Sequence, residues 1–359
     1  MLHVEEIFQD LVILDLSSVL AGPTAGSFFA ELGAKVYKVE HKSSGGDATR
    51  QWKLVDEKDT GTISAYYASA NTGKEVIFLD IDQDDDYQYL LSLVAKADVV
   101  ISNFQKRVAE KLKTTYSDFS AIKEDIIFAQ LNAYTYDDPR PGYDLVMQAE
   151  AGWISMTGTA DGQLAKLPVA LIDIIASHQI REAILLSLLK VYKTGKGSEV
   201  HISLYKSAIS ALANQASNYL MVNHVPQPMG TLHPNIAPYG DIFVLKDDKQ
   251  LILAIGSDLQ FEKLGKTLNL ATQDVAKFIN NTDRLQKRTV LQEVIQRKLS
   301  HFDLNTLVPI LSNASVPFCI VKSLNEVFDS NLAKTMVKSE KIDGVKTKKV
   351  SNIAFTFKN

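Results

Sequence analysis

Leu11-Val-Ile-Leu-Asp-Leu16, Ser17-Ser-Val-Leu-Ala-Gly-Pro-Thr24, Ala25-Gly-Ser-Phe-Phe-Ala-Glu-Leu32, Gly33 and Lys35-Val-Tyr-Lys-Val-Glu40 follow the first ten residues. The first run is apolar and carries β-branched Val12 and Ile13, and it is too short for a buried helix, so it reads as a strand. Pro23 suits the first turn of a helix, where its missing N–H costs nothing. Gly33 supplies a stop after Leu32. Residues 35–40 then read as a second strand. Strand, loop, helix, strand is the unit of a parallel sheet.

The pattern repeats outward. Residues 75–79, 98–101 and 126–131 read as strands, with helices expected at 87–96 and 108–112. The acidic cluster at 82–86 suits the positive end of the helix that follows. A Pro/Gly turn at 139–142 precedes a helical stretch, 143–156. Residues 167–171 form an extended apolar stretch. The longest helix-like segment, 173–193, is apolar on most faces and is expected to be buried; it closes on Lys193-Thr-Gly-Lys-Gly197. A strand at 199–204 and a helix at 207–222 follow. Pro226, Pro228, Pro234 and Pro238 then crowd with Gly230, and a domain boundary is placed there. Beyond it come a strand–turn–strand at 241–254, helices to about 311, a strand at 316–321 and an extended tail at 350–357.

The composition excludes several classes. With 359 residues, 46% apolar and 22% charged, the chain has the make-up of a globular protein, long enough for two domains. A net charge of −4 gives no footprint of a dedicated nucleic-acid binder. The single cysteine, Cys319, rules out an intrachain disulfide framework and a cysteine metal cluster, fits a reducing compartment, and reads as a buried thiol. Acids near Met1 do not suit a signal peptide, and no apolar run approaches the ~18 residues of a membrane span. A cytoplasmic enzyme or binding protein is expected, with no membrane or nucleic-acid partner.

Few positions carry chemistry. The loop after the first strand ends at a helix N-terminus, which offers free N–H groups to a phosphate; an ordinary βα turn has the same sequence. It lacks the G-x-G-x-x-G of dinucleotide binders. Lys35, Lys38, His41, Lys42 and Arg50 surround Ser43-Ser-Gly-Gly46, as phosphate ligands or as a solvated face. Asp173 opens the long helix. There the dipole favours an ionised carboxylate, either as a nucleophile toward acyl groups or as a plain N-cap. His233 lies in a proline-rich loop. No metal-ligand spacing, nucleophile elbow or P-loop occurs.

Taken in order, several segments resemble one family. They are Val12-Ile-Leu-Asp-Leu-Ser-Ser-Val-Leu-Ala-Gly-Pro23, Leu32-Gly-Ala-Lys-Val-Tyr-Lys-Val-Glu40, Gly45-Gly-Asp-Ala-Thr-Arg50 and Asn71-Thr-Gly-Lys74. Asn103-Phe104, Arg140-Pro-Gly-Tyr-Asp144, Val169-Ala-Leu-Ile-Asp173, Lys193-Thr-Gly-Lys-Gly197 and His233-Pro-Asn-Ile-Ala-Pro-Tyr239 follow. The chain resembles the class III CoA-transferases, the CaiB/BaiF-like group that includes formyl-CoA transferase and α-methylacyl-CoA racemase.

The resemblance implies an α/β fold. A large Rossmann-like domain with a parallel sheet would comprise residues 1–204 and 324–359. A linker at 205–224 would lead to a smaller α+β domain at 225–323, and two chains would interlock as rings in a homodimer. It also implies a CoA-transferase that moves CoA between carboxylic acids through an aspartyl anhydride and an aspartyl-CoA thioester. CoA and acyl-CoA would be substrates, with no tightly bound cofactor and no metal. Asp173 falls on the nucleophile. CoA contacts fall on Leu20, Ala21, Lys38, His41, Leu79, Asn103, Phe104, Lys111, Tyr143 and Asp144. The racemase branch has histidine where this chain has Tyr143, which argues for transfer. The alternatives are a racemase or isomerase of the same fold, with His178 the histidine nearest Asp173 in sequence, and a non-catalytic CoA-binding paralogue. Oxyanion donors are expected from the helix N-terminus at Asp173, and a site lid from residues 228–238.

Overall fold

The computed structural model describes residues 6–57 and 61–358. The first half of the N-terminal stretch used above, residues 1–5, lies outside the described residues. The chain groups into two compact units. Of the described residues, one comprises 6–57, 61–155, 166–226 and 332–358, the other 156–165 and 227–331.

The first unit is built on the repeated strand–helix pattern. Its elements begin β1 (Val12–Asp15), α1 (Ala21–Glu31), β2 (Lys35–His41), α2 (Ala65–Asn71), β3 (Glu75–Leu79) and α3 (Asp84–Val94). They continue with β4 (Val99–Ser102), α4 (Lys106–Leu112), α5 (Tyr116–Ser120), β5 (Ile127–Asn132), α6 (Asp144–Glu150), α7 (Leu171–Thr194), β6 (Ser198–Ser203), α8 (Leu204–Ser210) and α9 (Ala213–Val222). The six strands form one sheet in the order β3-β2-β1-β4-β5-β6, every pair parallel. That is a doubly wound sheet, and the α/β expectation holds.

Both sheet faces are covered. Leu11, Ile13, Phe29, Ile101 and Ala129 pack with α1 and α7 residues such as Ile180 and Ile184. Leu14, Leu16, Val100, Phe128, Leu90 and Phe119 form a separate cluster. Because alternate strand residues enter different clusters, a one-residue slip of β1 would bury the wrong set against each. Pro23 lies in the first turn of α1, Gly33 takes φ +97° after it, and Asp84, Asp85 and Asp86 occupy the first turn of α3, all as expected.

Other expectations change. The stretch 167–171, read as extended and apolar, joins no sheet and leaves Val169 exposed, and Leu171 already belongs to α7. Nor is α7 buried all round. Ile172, Ala176, Ile180 and Ile184 face the core, but Leu185, Leu186, Leu189 and Tyr192 are exposed. The helix expected at 207–222 is present as two, α8 and α9, but the stretch 205–224, expected as a linker between domains, groups with the first unit.

In the second unit, β7 (Tyr239–Val244), β8 (Gln250–Ala254) and β9 (Phe318–Ile320) make an antiparallel sheet. Helices α10 (Asp258–Thr267), α11 (Thr272–Val275), α12 (Asn281–Gln286), α13 (Arg288–Leu299) and α14 (Leu304–Asn313) come between β8 and β9. The core holds Phe243, Leu251, Phe261, Leu264 and Leu291. Cys319, expected to be buried, is exposed on β9, at the sheet edge. Residues 324–331, expected in the tail of the large domain, group here.

The chain returns to the first unit as an antiparallel hairpin, β10 (Val337–Ile342) and β11 (Val345–Val350). Sequence patterning placed extended structure only from residue 350. No helix among the described residues is long and apolar enough to cross a membrane.

Candidate active site

At the middle of the sheet, β1 leads outward to β2 and β4 leads the other way to β5, so the strand order reverses between them. Such a switch point leaves a crevice beyond the carboxyl ends of the strands. Two loops meet there. Ser18 N–H donates to Asn103 Oδ1 at 3.0 Å, and Asn103 Nδ2 donates back to the Ser18 carbonyl at 3.1 Å. Val19 takes φ +73°, a strained conformation for a β-branched residue, and its N–H donates to Asp47 Oδ2 at 3.1 Å. Gly22 follows because a Cβ there would overlap the Ser17 side chain.

The support under this loop is ionic and buried. Lys38, on β2, is 1% exposed; its ammonium donates to the Ser17 carbonyl and lies 3.4 Å from Asp47. Asp15, ending β1, accepts from Ser17 N–H at 3.0 Å and pairs with Lys74 at 2.8 Å. Burial pushes the Asp15 carboxyl up, but the Lys74 and Lys38 ammoniums outweigh it and hold it below its usual range. Arg50 is also 1% exposed, bonded to Glu40 at 2.6 Å and Tyr67 at 2.8 Å. Lys38 and Arg50 therefore leave the expected phosphate-binding cluster: both are committed inside the fold.

Two cavities flank the clasped loops. One, about 500 Å³, is walled by Leu20, Ala21, Asn103, Tyr143 and Asp173. The other, about 520 Å³, is walled by Lys38, His41, Leu79, Phe104 and Lys111. Ser18 borders both. The candidate CoA contacts other than Asp144 thus divide between adjoining cavities. In the second, Lys111 is exposed with no side-chain partner among the described residues, while His41 Nε2 lies 3.6 Å from Asp80.

Asp173 is the third residue of α7, not its N-cap; Ala170 precedes the helix and gives no side-chain cap. Capping comes from elsewhere. Asp144, at the start of α6, accepts from Ile172 N–H at 2.7 Å and Asp173 N–H at 3.3 Å through Oδ1, and from Gln148 Nε2 at 2.5 Å through Oδ2. Asp144 lines neither cavity; it holds the end of α7. Asp173 itself is 8% exposed. Burial, with the Asp144 charge second, pushes its carboxyl from 3.8 up to about 7. This reverses the expectation that the helix end would favour the ionised form: Asp144 already occupies the amide donors and adds its own negative charge.

A rate that needs the Asp173 carboxylate should therefore fall about tenfold per pH unit below about 7 and level off above it. Asp144→Asn should move the midpoint down, since one of the two causes is removed. The kcat profile from about pH 5 to 9 measures both, and a flat profile would contradict the assignment.

Sequence reasoning missed two neighbours of the site. Asp47 lies inside a quoted segment but had no role. Tyr66, edge-on to Trp52 at 5.1 Å, has its hydroxyl pushed up to about 12, by burial first and then by Asp173, Asp144 and Asp47, so it stays a neutral donor near three carboxylates. His178 is exposed, on a different face of α7 from Asp173. That weighs against an acid/base pair of the racemase kind. His233 packs edge-on against Tyr239 at 5.2 Å in the second unit, and its carbonyl accepts from Arg288 at 2.7 Å. The expected lid segment is thus partly tied down.

Residues 8–359 match the model of CoA-transferase family III. A succinate–glutarate CoA-transferase of Agrobacterium fabrum is 32% identical over 88% of this chain and 80% of its own length. A succinyl-CoA:mesaconate CoA-transferase of Haloarcula hispanica is 30% identical over 89% of this chain and 82% of its own. Among solved structures, a CaiB/BaiF family protein from Brucella suis superimposes with a TM-score of 0.81 at 30% identity, covering 99% of this chain and 93% of that one. Switch-point crevice, sheltered carboxylate and these likenesses agree: the chain belongs to CoA-transferase family III.

Proposed function

We propose that this CoA-transferase exchanges CoA between two short dicarboxylic acids, with Asp173 as the covalent carrier. The observation that carries the reading is the sheltered Asp173 carboxyl in one cavity wall with Leu20, Ala21, Asn103 and Tyr143. Succinate, glutarate and mesaconate, named for the relatives, each bear two carboxylates.

The Asp173 carboxylate attacks the thioester carbonyl; the C–S bond breaks, giving a mixed anhydride and CoA thiolate. The thiolate attacks the aspartyl carbonyl, releasing the donor acid and leaving an aspartyl-CoA thioester. The acceptor carboxylate attacks that thioester, forming a second anhydride and freeing the thiolate again. The thiolate then takes the acceptor acyl group and Asp173 is restored. No proton need move, so a carboxyl ionised above about pH 7 suffices.

Lys111 and the second cavity would hold the phosphate end of CoA, and its pantetheine arm would run past Ser18 to Asp173. The amides of α7 are taken by Asp144, so they are not the oxyanion donors first expected. The N-terminus of α1, which has no side-chain cap, opens at Leu20 and Ala21 into the Asp173 cavity and is the better source. Low exposure of Asp173 protects the anhydrides from water. The assay is direct: incubate the protein with succinyl-CoA and glutarate and follow glutaryl-CoA by mass spectrometry. Ping-pong kinetics supports the reading; simple hydrolysis to CoA, without a new thioester, overturns it.

The enzyme is further proposed to be a cytoplasmic homodimer. Exposed Leu185, Leu186, Leu189 and Tyr192 on α7, with Tyr219, Leu220, Met221 and Val222 on α9, provide apolar surface for a second copy. Light scattering should report twice the 39.7 kDa chain mass.

A further inference from the structure

The short helix α4 borders both cavities, and its faces differ. Val108, Lys111 and Leu112 border the second cavity, whereas Lys106, Arg107 and Glu110 border the cavity of Asp173. The three- and four-residue spacings place each set on one side of the helix. Cations on the Asp173 side have different fates. Lys106 is paired with Asp137 at 2.5 Å. Arg140, on the same wall, is paired with Asp138 at 2.7 Å and lies over the Tyr134 ring at 3.7 Å. The guanidinium of Arg107 is exposed and makes no ion pair or hydrogen bond among the described residues, even with Glu110 one turn on.

A dicarboxylic acid joined to Asp173 through one carboxyl keeps the other as a free anion. Such an anion needs a cation in the same cavity, and guanidinium presents paired donors that match a carboxylate. We infer that Arg107 is the specificity residue that binds the second carboxylate of the exchanged acid, leaving Lys111, across the helix, to the phosphates of CoA. The inference rests on the transferase reading of the Asp173 cavity. It adds the group by which this cavity tells a dicarboxylic from a monocarboxylic acid of the same length.

The same guanidinium chemistry would also suit a CoA phosphate, and the test separates the two sources. Acceptors are glutarate and its monocarboxylic counterpart pentanoate, with acetyl-CoA as donor so that the donor acyl group carries no second charge. Arg107→Met should lower kcat/KM for glutarate roughly 10- to 100-fold, through KM, and leave pentanoate and the KM for acetyl-CoA little changed. Arg107→Lys should restore part of the loss. Glu110→Gln, which removes the neighbouring negative charge, should keep or improve glutarate use. Equal losses for glutarate and pentanoate, or a raised KM for acetyl-CoA, overturn the inference and assign Arg107 to CoA. Calorimetric binding of glutarate to wild type and Arg107→Met decides independently of turnover. If wild type binds glutarate and the variant loses it, the inference stands even where no exchange is seen, and it is the transferase reading that fails. Equal binding by both proteins overturns the inference.

Discussion

Asp173→Ala should reduce CoA exchange by on the order of 10⁴-fold or more, because it removes the atom that accepts the acyl group. Of the other acids bordering the same cavity, Asp137 and Asp138 are engaged by Lys106 and Arg140, and Glu110 is exposed on α4 rather than sheltered like Asp173. Binding of acyl-CoA should persist, since the clasp of Ser18 with Asn103 and the second cavity are untouched. The loss should not be one of folding. Burial raises the Asp173 carboxyl from 3.8 to about 7, so the native state prefers its neutral form. The stability this lends is complete below the unfolded value near 3.8 and disappears as pH rises through about 7, where the buried group must ionise. Asp173→Asn, neutral at every pH, should therefore be more stable than wild type above pH 7, by on the order of 4 kcal/mol at most. Denaturant unfolding at about pH 8, beside the exchange assay, checks both statements; an inactive variant that is also much less stable contradicts them.

Lys38→Met should act in the opposite way, costing about 3–5 kcal/mol of stability. It strands Asp47 and the Ser17 carbonyl, both buried, without their cation. Asp47 also holds the strained Val19, so the loop that borders both cavities loses its anchor. Lys111→Met, by contrast, should leave unfolding unchanged and raise the KM for acyl-CoA. Equal stability of the two variants would show that Lys38 is not the support described here and would return it to the list of CoA ligands.

This contrast shows what the sequence can and cannot carry. Lys38, Lys42 and Arg50 are all cations around the loop Ser43-Ser-Gly-Gly46, and nothing local says which will be buried. Burial follows from β2 lying inside a six-stranded sheet, with Asp47 returning over it, a long-range outcome. The sheet itself was legible because strand and helix periods alternate cleanly from residue 11 to residue 131. The closing hairpin was not read, although Asp343-Gly344, both at positive φ, is the two-residue turn signal; Lys338 and Lys341 before it and Lys346, Lys348 and Lys349 after it hid the strands on each side. Asp173 was visible as a carboxylate at a helix start, but its role came through the family resemblance. The reversal of its expected ionisation depends on Asp144, 29 residues earlier in the chain. Arg107 has no local signature, because an unpaired charge is defined by what fails to approach it.

A covalent carrier role for Asp173 requires a bond from its carboxylate to the transferred group. Wild-type protein held with succinyl-CoA alone, quenched and digested, should show a CoA adduct on the peptide containing Asp173. Hydroxylamine should convert that adduct to a hydroxamate at the same residue. An unmodified Asp173 in a preparation that exchanges CoA at full rate would contradict the account.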